Sequence, residues 1–230
     1  MSRVAICLVG EMRYWEIMKH IFKSWDVDFF VSTWDTTNRE KDNYPYKFHG
    51  SSDINDDMLE TLNIKGYEFL SREVENKIKF HMPKYYYLVH RSNLLKTQYE
   101  LDNDFKYDCV IMTRPDVYHD KNLIKKILSH KLDELVLYSS VINQGEDYFG
   151  PYCMDAAAYG TSATMDIFSS IYKHLYLSGD YNMLMIGHSL IPHYMNYIGL
   201  IVGSEGISQE LINKVRRPET YKKWVGNIDN

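Results

Sequence analysis

Short runs of apolar residues, each ended by glycine or by polar residues, recur along the first half of the chain. The run Val4–Val9 stops at Gly10, and the runs at residues 27–31 and 107–112 are each followed by a polar cluster. Uninterrupted apolar runs of this length are typical of parallel strands buried on both faces. Shorter apolar runs predict further strands at residues 67–70, 134–139, 156–159 and 200–202.

The segments between these strands carry apolar residues at helical spacing. The clearest is at residues 86–101, where Leu88, Leu95 and Tyr99 recur over about four turns. Helices are also predicted at residues 16–22, 57–62, 123–128, 163–176 and 183–197, and an exposed polar loop at residues 36–50. Because strands and helices alternate, the pattern predicts an α/β fold, a three-layer α/β/α sandwich with a mostly parallel central sheet.

Composition is consistent with one globular domain over residues 1–230. Apolar residues make up 45% of the 230 residues and charged residues 25%, which excludes disordered and low-complexity classes. Cys7, Cys109 and Cys153 have no C-x-x-C spacing, so we expect reduced, buried thiols. No run reaches the roughly 20 apolar residues of a membrane span, and the first apolar run is too short for a signal peptide. These features predict a cytoplasmic protein.

The C-terminal segment 214–224 is basic in an otherwise acidic chain of net charge −5. Its basic residues alternate with Tyr221 and Trp224, as in surfaces that track a nucleic-acid backbone and stack on bases. The alternative is a solvated terminal segment that docks its two aromatic residues on the domain. The basic side chains are Lys214, Arg216, Arg217, Lys222 and Lys223.

Three polar clusters follow the predicted strands, at residues 10–13, 32–35 and 113–116. Ligands of open α/β sheets bind beyond the carboxyl ends of the strands, so we expect these clusters to converge on one crevice.

The side chains of these clusters suit a nucleoside diphosphate. Gly10 allows close approach of the backbone, Arg13 and Arg114 can fork onto phosphate oxygens, Trp34 offers a stacking face, and Asp35 can accept from a base or ribose hydroxyl. The alternatives are a simple turn at Gly10, a solvated Arg13 and a core position for Trp34.

Asp116 follows a buried strand and a proline, which would project its carboxylate from a rigid strand end toward solvent. There it could hold Mg²⁺ or Mn²⁺ bridging a diphosphate. The alternative is an aspartate that caps the next turn.

These residues carry a resemblance to a known family. Residues 3–13, 28–35 and 106–116 resemble a poorly characterised set of bacterial and viral proteins with a GT-A glycosyltransferase-like fold. The helix before the third block and residues 155–162 leading into Met165 also fit, so the similarity spans Arg3 to about Val202. The helix residues that fit are Arg91, Ser92, Asn93, Lys96 and Glu100.

The resemblance implies a GT-A-like fold and a nucleotide-sugar donor such as a UDP-sugar. It implies that Gly10, Arg13, Trp34 and Asp35 contact the nucleotide. Arg114 and Asp116 then occupy the place of the Asp-x-Asp element that binds metal and donor. Because Arg114 replaces the first acidic residue, metal dependence is an open question.

An inverting enzyme of this fold also needs a general base late in the chain. Asp147 and Asp155 are the candidates, and the alternative for each is an acidic turn. His188 and His193 are five residues apart and do not share one helix face. A partly buried histidine is therefore a simpler interpretation of each than a metal ligand.

Two functions from different classes are consistent with these observations. The first is a glycosyltransferase acting on a glycan or on a hydroxymethylated pyrimidine in phage DNA. The second is a non-catalytic nucleotide-sugar-binding protein that retains the fold.

Overall fold

The computed structural model describes residues 2–12, 15–35, 60, 62–78, 81–119, 122–129, 131–142, 152–178, 194–195, 197–203 and 212–214. The strands are β1 (Val4–Val9), β2 (Asp28–Trp34), β3 (Ile64–Leu70), β4 (Cys109–Thr113), β5 (Val117–His119), β6 (Val136–Ile142), β7 (Tyr152–Gly160), β8 (Ile201–Gly203) and β9 (Ile212–Lys214). The helices are α1 (Trp15–Phe22), α2 (Arg72–Lys77), α3 (His81–Asp102), α4 (Leu123–Leu128), α5 (Ser162–Ser169) and α6 (Ile171–Ser178).

Seven strands form the central sheet, in the order β3-β2-β1-β4-β7-β6-β8. Every neighbouring pair is parallel except the two pairs made by β7, which runs antiparallel to β4 and β6. The predicted α/β fold with a mostly parallel sheet is therefore confirmed.

Alternate residues of β1 enter two separate cores, one on each face of the sheet. Ile6 and Leu8 pack with α1 and α4 residues, whereas Cys7 and Val9 pack with residues of α3, α5 and α6. Because both faces of β1 are covered by helices, the strand is apolar throughout, as its sequence predicted. The three-layer arrangement follows from these two cores.

Some elements differ from the sequence prediction. The helix expected at residues 163–176 is broken at Ser170, whose hydroxyl donates to the Ile167 carbonyl at 2.7 Å and also contacts the Tyr194 hydroxyl at 2.6 Å. Strand β9 was not predicted, and it pairs with β5 in a separate two-stranded sheet. The predicted segments 36–50, most of 57–62 and most of 183–197 lie outside the described residues.

Cys7 and Cys109 are buried free thiols, as the sequence predicted. Burial raises the pKa of Cys7 to about 11 and that of Cys109 to about 12. Within the described ranges, no helix is long and apolar enough to cross a membrane.

Candidate functional site

The carboxyl ends of β2, β1 and β4 lie side by side in the sheet. Val9 is paired with Ser32, and Leu8 is paired with Thr113. Because all three strands are parallel, Gly10, Asp35 and Arg114 follow them at the same edge. The structure thus brings together the described parts of the three polar clusters.

Gly10 has a φ of +107°, a backbone conformation that L side chains rarely adopt. A Cβ placed there would lie 3.8 Å from Cγ of Arg114, which is ordinary van der Waals contact. The glycine is therefore required by the backbone turn rather than by lack of space. The same distance shows that the Arg114 side chain passes directly beside Gly10.

Arg114 and Asp116 form a two-pronged ion pair. Nε of Arg114 donates to Oδ1 of Asp116 at 2.8 Å, and Nη2 donates to Oδ2 at 2.5 Å. The two side chains are only 12% and 3% exposed. A planar guanidinium matched to both carboxylate oxygens is the strongest geometry for such a pair.

A tight turn places these two residues together. The backbone N–H of Val117 donates to the Arg114 carbonyl at 3.2 Å, with Pro115 and Asp116 between them. Proline at the first central position of such a turn has its φ already set. The expectation of a solvent-facing carboxylate at Asp116 is wrong, because the turn folds Asp116 back onto Arg114 and buries it.

Asp35 directly follows β2, and its backbone N–H donates to the Leu70 carbonyl of β3 at 2.9 Å. Its Oδ1 atom is buried and accepts no hydrogen bond from any residue that the structure describes. A buried carboxylate oxygen normally has a partner, so this atom is a candidate ligand contact.

Trp34 is 4% exposed and belongs to the core on the α3 face. Its ring stacks on Tyr87, with centroids 6.4 Å apart and planes 21° apart. The indole presents no open stacking face, which favours the core alternative for this residue.

Sequence reasoning missed a second charged group at this edge. Glu11, buried directly after Gly10, has its Oε1 atom 3.6 Å from Nη2 of Arg72, the first residue of α2. Arg72 also pairs with Glu75, which lies 3.5 Å from Nζ of Lys84. Glu11 belongs to the predicted cluster at residues 10–13, but its partner Arg72 is 61 positions away. No local pattern in the sequence therefore indicates that the two residues pair.

Of the two candidate bases, only Asp155 lies among the described residues. Asp155 lies in β7, two residues before Ala157, which is paired with Thr113 of β4. The antiparallel direction of β7 thus brings the Asp155 backbone to the same edge as the Arg114–Asp116 turn. Asp147 and Arg13 lie outside the described residues.

The basic C-terminal segment starts close to this edge. Lys214, the last residue of β9, is paired with Val117, the residue that follows Asp116. The other four basic residues, Arg216, Arg217, Lys222 and Lys223, lie outside the described residues.

Two of the α3 residues that fit the family resemblance, Lys96 and Glu100, belong to a different place, at the amino end of β4. Lys96 is fully buried, and its Nζ contacts Ser162 Oγ at 2.6 Å, Asp166 Oδ1 at 2.7 Å and Glu100 Oε2 at 3.1 Å. Glu100 also accepts from the Tyr107 N–H at 2.9 Å, just before β4. We call Lys96, Glu100, Ser162 and Asp166 the α3–α5 network.

Hydrogen bonding keeps the acids of this network ionised. Burial alone would raise the pKa of Glu100, but hydrogen bonds from Ser162, the Tyr107 N–H and Lys106 hold it below its ordinary value. Burial also opposes ionisation of Asp166, whose pKa is lowered by the charge and hydrogen bond of Lys96 and by Asn93. The network satisfies its own charges and joins three segments of the fold.

Known proteins offer only distant similarity. No family model matches the chain, and no curated protein matches it in sequence. Its fold is similar to a nucleoside-diphosphate-sugar pyrophosphorylase from Vibrio cholerae RC9, at 9% identity and a TM-score of 0.45, covering 97% of this chain and 99% of that one. This likeness is remote.

Two glycosyltransferases are among the similar structures. GlyE of Streptococcus pneumoniae TIGR4 has 10% identity and a TM-score of 0.47, covering 89% of this chain and 46% of that one. The galactosyltransferase LgtC, solved with donor and acceptor sugar analogues, has 13% identity and a TM-score of 0.47, covering 88% of this chain and 73% of that one. At these identities the side chains of the site have to be interpreted from their own geometry.

Proposed function

We propose that the protein is a glycosyltransferase that binds a nucleoside-diphosphate sugar, such as a UDP-sugar, at the carboxyl ends of β1, β2 and β4. The observation that carries this proposal is the Arg114–Asp116 pair beside Gly10. It places an oriented positive charge next to a backbone turn that only glycine adopts readily, at the sheet edge where α/β folds bind their ligands.

Each described residue of the site has a distinct role in this proposal. Arg114 faces the diphosphate, and Asp116 holds the guanidinium in position. The buried Oδ1 of Asp35 accepts from a hydroxyl or N–H of the nucleoside. Arg13 follows Gly10 by three residues and stays a predicted second ligand of the phosphates.

The reaction breaks the bond between the anomeric carbon and the diphosphate oxygen and forms a bond from that carbon to an acceptor oxygen. The nucleoside diphosphate leaves with the bonding electron pair, and the positive charge of Arg114 stabilises the negative charge that develops on it. In an inverting reaction a carboxylate takes the acceptor's proton, and Asp155 or Asp147 is proposed for this step.

The acceptor is proposed to be a glycan or a hydroxymethylated pyrimidine in phage DNA. The DNA alternative is favoured by one observation, the β5–β9 pairing, which starts the basic segment 214–224 beside the candidate site. Contacts from Lys214, Arg216, Arg217, Lys222 and Lys223 to a nucleic-acid backbone would make acceptor binding fall steeply with salt. Transfer to DNA that persists after reversal of these charges would leave the glycan as the acceptor.

Titration calorimetry of UDP, GDP, CDP and dTDP against the wild type and Arg114→Gln tests the donor site. Loss of a charge-assisted hydrogen bond should weaken binding by about 1.5–3 kcal/mol. Arg3→Gln is the matched control, because Arg3 precedes β1 at the opposite end of that strand and packs on Phe105. Equal affinity in all three proteins would refute the site.

A second measurement separates the enzyme from a non-catalytic binding protein. Release of free sugar from the donor, followed without any acceptor, should be detectable for the wild type and lost in Asp155→Asn together with Asp147→Asn. Tight nucleotide binding with no turnover on glycan, DNA or water would favour the non-catalytic alternative.

A further inference from the structure

We infer that Arg114 supplies the positive charge for the diphosphate in this site and keeps a divalent cation away from Asp116. The inference rests on the proposed function, since it concerns how the same site neutralises its ligand. Its evidence is the geometry of the Arg114–Asp116 pair.

The carboxylate of Asp116 is already engaged on both oxygens. Oδ1 accepts from Nε at 2.8 Å and Oδ2 accepts from Nη2 at 2.5 Å, so the guanidinium lies in the plane in front of the carboxylate. This is the position from which a cation would bind both oxygens. A guanidinium stays charged at any accessible pH, so it does not vacate the position by losing a proton.

The backbone also prevents the two side chains from separating easily. Arg114 and Asp116 lie in one turn closed by the Val117 N–H to Arg114 carbonyl bond of 3.2 Å, with Pro115 restricting the turn. Both side chains are largely buried, so neither can swing into water without losing its partner in a poorly solvated place. A cation binding Asp116 would therefore remain within a few ångströms of the guanidinium and be repelled by it.

Two other acids near this edge, Glu11 and Glu75, also have basic partners, whereas Oδ1 of Asp35 accepts no hydrogen bond from any described residue. Glu11 lies near Arg72, and Glu75 contacts Arg72 and Lys84. Among the described residues, no group of three or more His, Cys, Asp or Glu side chains is placed to hold a metal ion. The two-pronged pairing of Asp116 with Arg114 thus fits a site whose positive charge comes from arginine, and it does not fit Mg²⁺ or Mn²⁺ on Asp116.

The main test is calorimetric binding of UDP and of inorganic pyrophosphate to the wild type in EDTA, in MgCl₂ and in MnCl₂. We expect the dissociation constants to agree within about threefold across the three conditions. A titration of Mn²⁺ alone, followed by electron paramagnetic resonance, should show no site whose occupancy is lost in Asp116→Asn.

The substitution R114D provides the reciprocal test, because it removes the guanidinium and puts two carboxylates in the turn. We expect this variant to bind Mn²⁺ and to bind pyrophosphate about tenfold or more tightly with Mn²⁺ than in EDTA. Arg114→Gln is the matched control and should bind pyrophosphate weakly in every condition, since it has neither the arginine nor the second carboxylate.

A wild-type protein that binds UDP only with Mg²⁺ or Mn²⁺, through a site lost in Asp116→Asn, overturns the inference and leaves the proposed function standing. If neither UDP nor pyrophosphate binds in any condition, both are overturned. If R114D does not fold, the wild-type measurements in EDTA and the Mn²⁺ titration still decide the matter.

Discussion

Lys96 and Arg114 are both largely buried cations. Lys96 lies near the amino ends of the parallel strands, and Arg114 lies at their carboxyl ends. Lys96 contacts Ser162, Asp166 and Glu100, which come from α3 and α5. Arg114 is held by Asp116, two residues along its own chain.

The difference lies in what each cluster joins. The α3–α5 network connects residues up to 70 positions apart, so breaking it disconnects two helices and the entry to β4. The Arg114–Asp116 pair is closed within one turn of the chain. Its position at a strand end beside Gly10 is the basis of the proposed ligand site.

Lys96→Met should lower stability more than Asp116→Asn or Gly10→Ala does. Removing the buried cation leaves Glu100 and Asp166 with the more exposed Lys106 as their counter-charge, and it should lower the free energy of unfolding by about 3–5 kcal/mol, measured by urea denaturation. Lys106→Met is the control, because Lys106 contacts the same Glu100 but is 57% exposed, and should cost less than about 1 kcal/mol. Similar losses for the two variants would contradict the structural role of Lys96.

Asp116→Asn should have an intermediate effect on stability and a large effect on ligand binding. The amide keeps the shape but accepts fewer hydrogen bonds from Arg114, which should cost about 1–3 kcal/mol of stability. The freed guanidinium is no longer oriented, so UDP affinity should fall as well. Unfolding by urea and calorimetry of UDP give the two quantities, and unchanged UDP affinity would show that Asp116 only stabilises the turn.

Gly10→Ala and Gly199→Ala should cost similar amounts of stability but differ in ligand binding. Both glycines have positive φ, +107° and +79°, so an alanine should cost about 1–2 kcal/mol at each. Only Gly10 lies beside Arg114, so only Gly10→Ala should weaken UDP binding. Thermal unfolding and calorimetry on both variants check this, and equal binding by the two would remove Gly10 from the site.

Acidification should have the smallest effect, and we expect it to act through Glu100 and Asp166 of the α3–α5 network. Their pKa values are lowered in the folded protein, so they bind protons more weakly folded than unfolded. The stability they contribute is therefore present above their unfolded pKa values and is lost as the pH falls below about 4.5.

The measurement is urea unfolding from about pH 6 to about pH 3.5 for the wild type and Glu100→Gln, a range that contains the ordinary carboxyl pKa of about 4. Glu100→Gln starts less stable, but it should lose less stability on acidification than the wild type. A steeper loss in the variant would contradict the lowered pKa of Glu100.

The amino-acid sequence by itself determined the buried strands and the long helix. The apolar run Val4–Val9 is β1 as predicted, and the helical spacing at residues 86–101 lies within α3. It also predicted that Gly10 and the polar cluster at residues 113–116 follow strands that end at the same side of the sheet. These features depend on neighbouring residues and on the period of the pattern, which a single sequence contains.

Only the tertiary structure decided which polar groups meet and which are buried. It turned Asp116 back onto Arg114, covered Trp34 with Tyr87, paired β9 with β5 and made β7 antiparallel. It also assigned Lys96 to a buried network rather than to the candidate site. Partners far apart in sequence leave no local periodicity, and the burial of a charge depends on whether such a partner reaches it.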